Sequence, residues 1–166
     1  MTQIPAILVC DTREQQPYQF ARFTSKYIDF AIQHAALDCG DYAAYLYPEA
    51  SAAETAAVER KSLTDLFGSL TTGRERFERE LEKLTAYGFR ALVVEGDLRS
   101  IARGLPESRA NPTSIIASLV AFSERFDVHI IFAGDRRHAQ AYTWRLLERW
   151  ARDKAMARAE ATELVA

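Results

Sequence analysis

The chain has 166 residues, 48% of them hydrophobic and 27% charged, and a formal net charge of −2 at pH 7. This composition predicts one globular domain with a substantial core and excludes a polycation that coats nucleic acid without selectivity. The two cysteines, Cys10 and Cys39, are too few for a disulfide framework. We expect no signal peptide and no membrane span, because no apolar run approaches the ~20 residues that cross a bilayer.

The first third of the chain shows three patterns. Residues 4–10 are an apolar β-type run, in which Cys10 is expected to be a small core residue. Residues 25–37 carry apolar side chains at helical spacing, which predicts a helix. Tyrosines alternate over residues 41–47 before a turn, which predicts a hairpin returning along residues 55–61.

The rest of the chain alternates helices with strands. Ser62 is a plausible N-cap of a helix, with Asp65 three residues on. Six further elements are predicted: a helix over 74–87, a strand over 89–96, a short helix over 98–104, a helix over 111–126, a strand over 128–132 and a helix over 135–157. Residues 159–166 are expected to fray. This alternation predicts an α/β fold with a central mixed sheet flanked by helices.

An acid and a lysine two residues apart are the most informative chemical feature. The side chains of Glu59 and Lys61 point to the same face of a strand, because side chains alternate along it. Upstream, the turn-like Gly40-Asp41 supplies a second carboxylate at the start of another β-rich run. Carboxylates hold hard divalent cations through oxygen, and a lysine steadies an attacking water or the charge on a phosphate. The pattern therefore favours metal-dependent phosphodiester hydrolysis.

Each of these residues also has a structural interpretation. An isolated acid-x-lysine pair on a strand is usually a salt bridge. Asp41 after glycine is a common turn residue, and Asp65 fits a helix cap as well as a site. Arg60 points away from Glu59 and Lys61, which makes a structural ion pair nearly as plausible as a functional role. Tyr42 could stack on a base, although packing is more common for a strand tyrosine.

Several ordered motifs together resemble one family, the nuclease domain of XPF-type structure-specific DNA endonucleases, which includes archaeal Hef. The family pattern of Gly-Asp, a spacer and Glu-Arg-Lys-x-x-x-Asp matches Gly40-Asp41 and residues 59–65. An upstream Asp-x-Arg-Glu matches residues 11–14, and Gly73-Arg74 matches a later signature. The resemblance covers roughly residues 7–150. It implies a restriction-endonuclease-like fold and a single XPF-type nuclease domain over 1–166, with its core at about 4–157.

The resemblance also implies roles for individual residues. Asp41 and Glu59 would be the principal ligands of Mg²⁺ or Mn²⁺, with Asp11 as a third. Lys61 and Glu14 would complete the catalytic set. Four further residues would bind DNA or organise the site: Arg13, Arg60, Asp65 and Arg74.

Partners and substrate follow from the same resemblance. We expect DNA as the substrate, in flaps, forks or junctions, during repair or recombination, and a cytoplasmic, nucleoid-associated or otherwise intracellular location. Many family members continue into a tandem helix-hairpin-helix domain, which we do not expect here, so a separate DNA-binding chain could replace it. The helices over 113–126 and 135–157 carry more apolar residues than one stripe needs, among them Leu119, Leu146 and Leu147, which predicts a two-fold homodimer through these two helices. The alternatives are a catalytically silent DNA-binding or scaffolding subunit and a Holliday-junction or restriction-type nuclease.

Overall fold

The computed structural model describes residues 2–164 and confirms a mixed α/β fold with a central sheet between helices. Six strands form the sheet: β1 (Ile4–Asp11), β2 (Ile28–Ala35), β3 (Tyr42–Tyr45), β4 (Ala56–Ser62), β5 (Phe89–Glu95) and β6 (His129–Phe132). Five α-helices accompany it: α1 (Leu63–Ser69), α2 (Arg74–Leu84), α3 (Leu98–Arg103), α4 (Pro112–Phe126) and α5 (Arg136–Glu163). Short 3₁₀ turns lie at Phe20–Arg22 and Ala52–Glu54.

The sheet has the order β2-β1-β3-β4-β5-β6, and only β3 runs against the others. The predicted hairpin is confirmed, because β3 pairs antiparallel with β4. Five strands therefore end at the same edge of the sheet, which is also the edge where β3 begins. In open α/β sheets this carboxyl edge is where ligands bind.

Two hydrophobic cores sandwich the sheet. On one face, α5 packs Trp144, Leu147 and Trp150 against β1, β3 and β4. On the other face, α1 to α4 enclose a second core that includes Phe77 and Phe122. Helices α4 and α5 thus cover opposite faces, and each buries one apolar stripe.

The residues that cap the N-termini of three helices were predicted correctly from the sequence. Ser62 accepts a hydrogen bond from the Asp65 backbone N–H at 3.1 Å and caps α1 as expected. Asn111 and Asp135 cap α4 and α5 through their side-chain oxygens.

Two expectations were wrong. Residues 25–37 do not form a helix, because the chain from Ile28 to Ala35 pairs in parallel with β1 as an edge strand. Ile28, Phe30 and Ile32 also recur with a period of two, and β-branched and aromatic residues favour strands. Residues 159–163 do not fray but extend α5 to Glu163, and alanine and glutamate there are good helix formers. The last two residues, for which fraying was also predicted, lie outside the described part of the chain.

Between residues 2 and 164, none of the helices is long and apolar enough to cross a membrane.

Candidate active site

A polar cavity of about 840 Å³ lies at the carboxyl edge of the sheet. The cavity is lined by all five predicted catalytic residues and by three predicted accessory ones: Asp11, Glu14, Asp41, Glu59, Lys61, Arg13, Arg60 and Asp65. Asp11 ends β1, Glu59 and Lys61 lie near the end of β4, and Asp41 immediately precedes β3. Residues far apart in sequence converge because these strand ends are neighbours in the sheet.

The Gly40-Asp41 turn holds one carboxylate against β4. Gly40 has a φ of 78°, a left-handed conformation that favours glycine. A side chain at this position would also approach the Val58 carbonyl oxygen at 3.2 Å. The Asp41 backbone N–H donates to that same oxygen at 2.9 Å, and Asp41 Oδ2 accepts from the Arg60 backbone N–H at 2.7 Å. The glycine therefore allows the close approach that fixes Asp41.

Glu59 and Lys61 share one face of β4, as the period of two predicts. Lys61 Nζ donates to Glu59 Oε1 at 2.5 Å, and Glu80 Oε2 on α2 lies 4.0 Å from the same ammonium. Both side chains of the pair are largely buried, with exposures of 10% for Glu59 and 12% for Lys61. The ammonium is thus held within the cavity beside carboxylate oxygens.

Both carboxylate oxygens of Asp11 accept hydrogen bonds from neighbouring residues. Arg13 donates to it through the backbone N–H at 2.6 Å, through Nε at 3.0 Å and through Nη2 at 2.6 Å. The Leu37 backbone N–H adds a bond to Oδ2 at 2.9 Å. The Arg13 side chain itself is 65% exposed. Asp11 therefore anchors a guanidinium that faces the open cavity.

A buried ion network on the other face of β4 supports Glu14. Arg60 donates to Glu95 through Nε at 2.8 Å and through Nη2 at 2.9 Å, and its Nη1 lies 3.4 Å from Glu14 Oε1. Tyr18 and Arg136 also donate to Glu95, at 3.0 and 3.1 Å. The ion-pair interpretation of Arg60 is confirmed, and the pair connects the cavity to α5.

Glu95, Arg136 and Tyr18 were not predicted to have a role in the site. Glu95 ends β5, and the predicted strand over 89–96 already contained it; a charge directly after four buried residues indicates a partner. Arg136 lies in the predicted helix over 135–157, to which no role in the site was assigned. Its contact with Glu95 spans 41 positions, which no local pattern reveals.

The carboxylates at the centre of the cavity resist ionisation. Burial raises the pKa of Asp41 to about 8, and the charges of Glu59 and Glu14 contribute. Burial also raises the pKa of Glu59, against the opposing influence of Lys61. In contrast, hydrogen bonds from Arg13 lower the pKa of Asp11 to about 2. Burial would lower the pKa of Lys61, but the charge of Glu59 and its hydrogen bond raise it.

Asp41 and Glu59 have the chemistry of a site for a hard cation. Neither Oδ1 of Asp41 nor Oε2 of Glu59 accepts a hydrogen bond from residues 2–164, so each keeps an oxygen free. A bound divalent cation would also offset the desolvation and the repulsion between carboxylates that raise both pKa values. Within the same residues, no three His, Cys, Asp or Glu side chains already converge as a ready-made metal centre. The oxygens of Asp11 are occupied by Arg13 and Leu37.

The remaining predicted residues differ in position. Asp65 lines the cavity but also accepts from the Ser62 hydroxyl at 2.6 Å, so it supports the Ser62 cap of α1. Arg74 does not line the cavity: its Nη1 donates to Ser118 on α4 at 2.8 Å, and its guanidinium lies over the Phe122 ring. Tyr42 is fully buried and stacks on Tyr18 at 5.0 Å, so it is a packing residue.

Helix α2 adds three charged residues to the cavity that were not predicted to belong to the site. Arg76, Glu80 and Lys83 line the cavity, and Arg76 pairs with Glu80 at 3.4 Å. Their spacing of three and four residues places them on one side of the helix, which was the available signal.

Known proteins resemble this chain in sequence and in fold. The sequence matches the ERCC4 domain over residues 10–146. XPF from Aeropyrum pernix superposes with a TM-score of 0.59 at 18% identity, over 95% of this chain and 69% of that one. The same protein in complex with DNA superposes with a TM-score of 0.58 at 20% identity, over 91% of this chain and 66% of that one. No curated protein matches the sequence.

Proposed function

This chain belongs to the ERCC4-domain family of nucleases, and on that premise we propose that it is itself a divalent-metal-dependent DNA endonuclease. The observation that supports this most strongly is the shared cavity of Asp41, Glu59 and Lys61 at the carboxyl edge of the sheet. A silent subunit would have no need to keep buried carboxylates of raised pKa beside a buried lysine.

Three side chains of the cavity would act directly on the water or the phosphate. Lys61, beside Glu59, would donate to the attacking water or to a phosphate oxygen as negative charge develops. Arg13, anchored by Asp11, would reach a phosphate group from the open side of the cavity. Glu14, held by Arg60, would orient water from the opposite side.

Asp41 and Glu59 would hold Mg²⁺ or Mn²⁺, which are bound through oxygen ligands. When bound, such an ion supplies a Lewis acid for the phosphate and lowers the pKa of a coordinated water. Asp11 would contribute a ligand only by exchanging its bonds to Arg13, so we assign it first to positioning Arg13.

Flap, fork or other junction DNA is the proposed substrate, in repair or recombination. A related protein, XPF from Aeropyrum pernix, forms a complex with DNA, which supports DNA as the partner here. This chain spans 66–69% of those two structures. A separate DNA-binding chain is part of the proposal.

A panel of labelled single-stranded, duplex, flap, fork and four-way DNAs tests the proposal, with Mg²⁺ or Mn²⁺ and with EDTA. We expect branched DNA to be cleaved with either ion and no DNA to be cleaved in EDTA. Glu59→Gln is the matched control, because it removes a charge while retaining the shape of the side chain. DNA binding with no cleavage of any substrate would instead indicate the silent scaffolding subunit.

We also propose a homodimer, through an apolar groove on α5. Phe89, Tyr142, Leu146 and Trp150 line this groove, with Arg145 and Arg149 among its basic neighbours. Tyr142 is 50% exposed. The predicted interface through both helices is corrected to α5 alone, because α4 covers the opposite face of the sheet and Leu119 and Leu147 are core. Soluble proteins seldom leave such a patch uncovered.

A further inference from the structure

A second cavity, which the proposed chemistry does not use, adjoins the first. It has a volume of about 630 Å³ and is lined by Arg22, Phe23, Arg136, Arg137, Gln140 and Ala141. Its size falls within the ~300–1,000 Å³ of small-ligand sites. It lies where the 3₁₀ turn Phe20–Arg22 meets the first turns of α5.

The two cavities share one segment of chain. Arg136 Nη2 donates to the Gln16 and Pro17 carbonyl oxygens at 2.6 and 3.2 Å, and Gln140 Nε2 donates to the Gln19 oxygen at 2.8 Å. Gln16 also lines the acidic cavity. The chain from Gln16 to Phe23 therefore runs from the wall of the acidic cavity to the wall of the second cavity.

The second cavity suits a phosphate group. Arg22 and Arg137 are exposed, and neither forms an ion pair with any residue between 2 and 164. The positive end of α5, a helix of 28 residues, lies beside them. Asp135 is the nearby acid, but it caps the helix and pairs with His138.

An aromatic ring forms part of the wall. Phe23 is half-buried and held in place by Phe20 and Trp144, with ring centroids at 6.2 and 5.6 Å. Arginines beside a fixed aromatic ring are the usual arrangement for single-stranded nucleic acid, in which cations bind the backbone and a base stacks on the ring. The bases of a duplex are stacked on one another and cannot reach such a ring.

Resting on the proposed function, we propose that this cavity binds a nucleotide of an unpaired DNA strand adjacent to the cleavage site. Arg22 and Arg137 bind the phosphate, and Phe23 contacts the base. The cavity would thereby favour branched DNA with a single-stranded arm over blunt duplex, within the nuclease domain itself.

Fluorescence anisotropy in EDTA, where cleavage is not expected, tests this with a labelled oligothymidine, a blunt duplex and a splayed fork. We expect Arg22→Ala/Arg137→Ala to weaken binding of the oligothymidine and the fork about tenfold, and to reduce the salt slope of log K by about 0.7 per arginine. Phe23→Leu, which retains apolar volume, should weaken oligothymidine binding about fivefold without changing the slope. Duplex binding should change less than about twofold in each case.

Arg125→Ala is the matched control, because Arg125 is an exposed arginine at the end of α4, by the opposite edge of the sheet. We expect it to leave all three affinities unchanged. Equal losses for oligothymidine and duplex in the arginine variant would overturn the proposal, as would no measurable oligothymidine binding by the unaltered chain. Circular dichroism verifies the fold of each variant. Failure to cleave any DNA with Mg²⁺ would refute the proposed function alone, because this assay measures binding without cleavage.

Discussion

Glu95→Gln should destabilise the protein far more than the loss of a surface ion pair. Glu95 is 9% exposed and accepts four hydrogen bonds, two from Arg60, one from Tyr18 and one from Arg136. A glutamine keeps the shape but removes the charge, so the guanidinium of Arg60, also 9% exposed, loses its main partner. Breaking a buried pair from one side costs ~3–5 kcal/mol.

The lower end of that range, ~3 kcal/mol, applies here, because Arg60 keeps Glu14 at 3.4 Å and Arg136 is 38% exposed. For a chain of this size the loss lowers Tm by about 6–12 °C. Thermal unfolding followed by circular dichroism measures it at pH 7. Asp153→Asn is the control, because its pair with Arg149 is exposed, and it should shift Tm by less than about 2 °C.

The destabilisation caused by Glu95→Gln should also depend on pH. Burial alone would raise the pKa of Glu95, but the hydrogen bonds from Arg60 and Tyr18 lower it below its ordinary value. A lowered pKa in the folded state means that the stabilisation is complete above the unfolded value of about 4.3 and is lost as the pH falls through the folded value. The difference between Glu95→Gln and the unaltered chain should therefore shrink below about pH 4. A Tm loss no larger than that of Asp153→Asn at pH 7 would refute the reasoning.

Three further predictions concern the site and the assembly. Asp41→Asn should abolish cleavage while leaving Tm nearly unchanged or higher, because it removes a buried carboxylate of raised pKa; retained turnover in a gel assay would contradict the assignment. Lys61→Ala should lower the cleavage rate at saturating DNA more than it lowers DNA affinity, and equal losses would make Lys61 a simple phosphate contact. Tyr142→Asp should convert a dimer to an 18.7 kDa monomer in light scattering, whereas a monomer before the change would exclude the dimer.

The sequence predicted the site better than it predicted the edge of the sheet. Glu59 and Lys61 were placed correctly on one face because alternation along a strand is a local property, and Ser62 was recognised because a cap is local too. Strand β2 was assigned to a helix because its apolar residues fit both periods. The choice depended on pairing with β1, a contact between distant segments that sequence periodicity does not contain.

The contacts that hold the site residues in place could not be predicted from the sequence, for the same reason. Asp11 and Arg13 are two residues apart, yet nothing in their spacing shows that the arginine occupies both carboxylate oxygens. Arg74 belonged to a family signature, and its contact with Ser118 on α4 spans 44 positions. Local rules identified which residues carry the chemistry, whereas long-range packing decided which of them meet.

The net charge of −2 does not show that acidic and basic side chains lie in different places, as DNA cleavage requires. The carboxylates of the cavity attract a cation and repel a phosphate backbone, so DNA affinity must come from the basic side chains around them. Arg76 and Lys83 lie on α2 at one side of the cavity, and Arg22 and Arg137 lie across the segment at the other. A DNA strand bound at these proposed positions on both sides would cross the carboxylates without depending on them for affinity. Binding should consequently weaken with salt, even though the protein as a whole is weakly acidic.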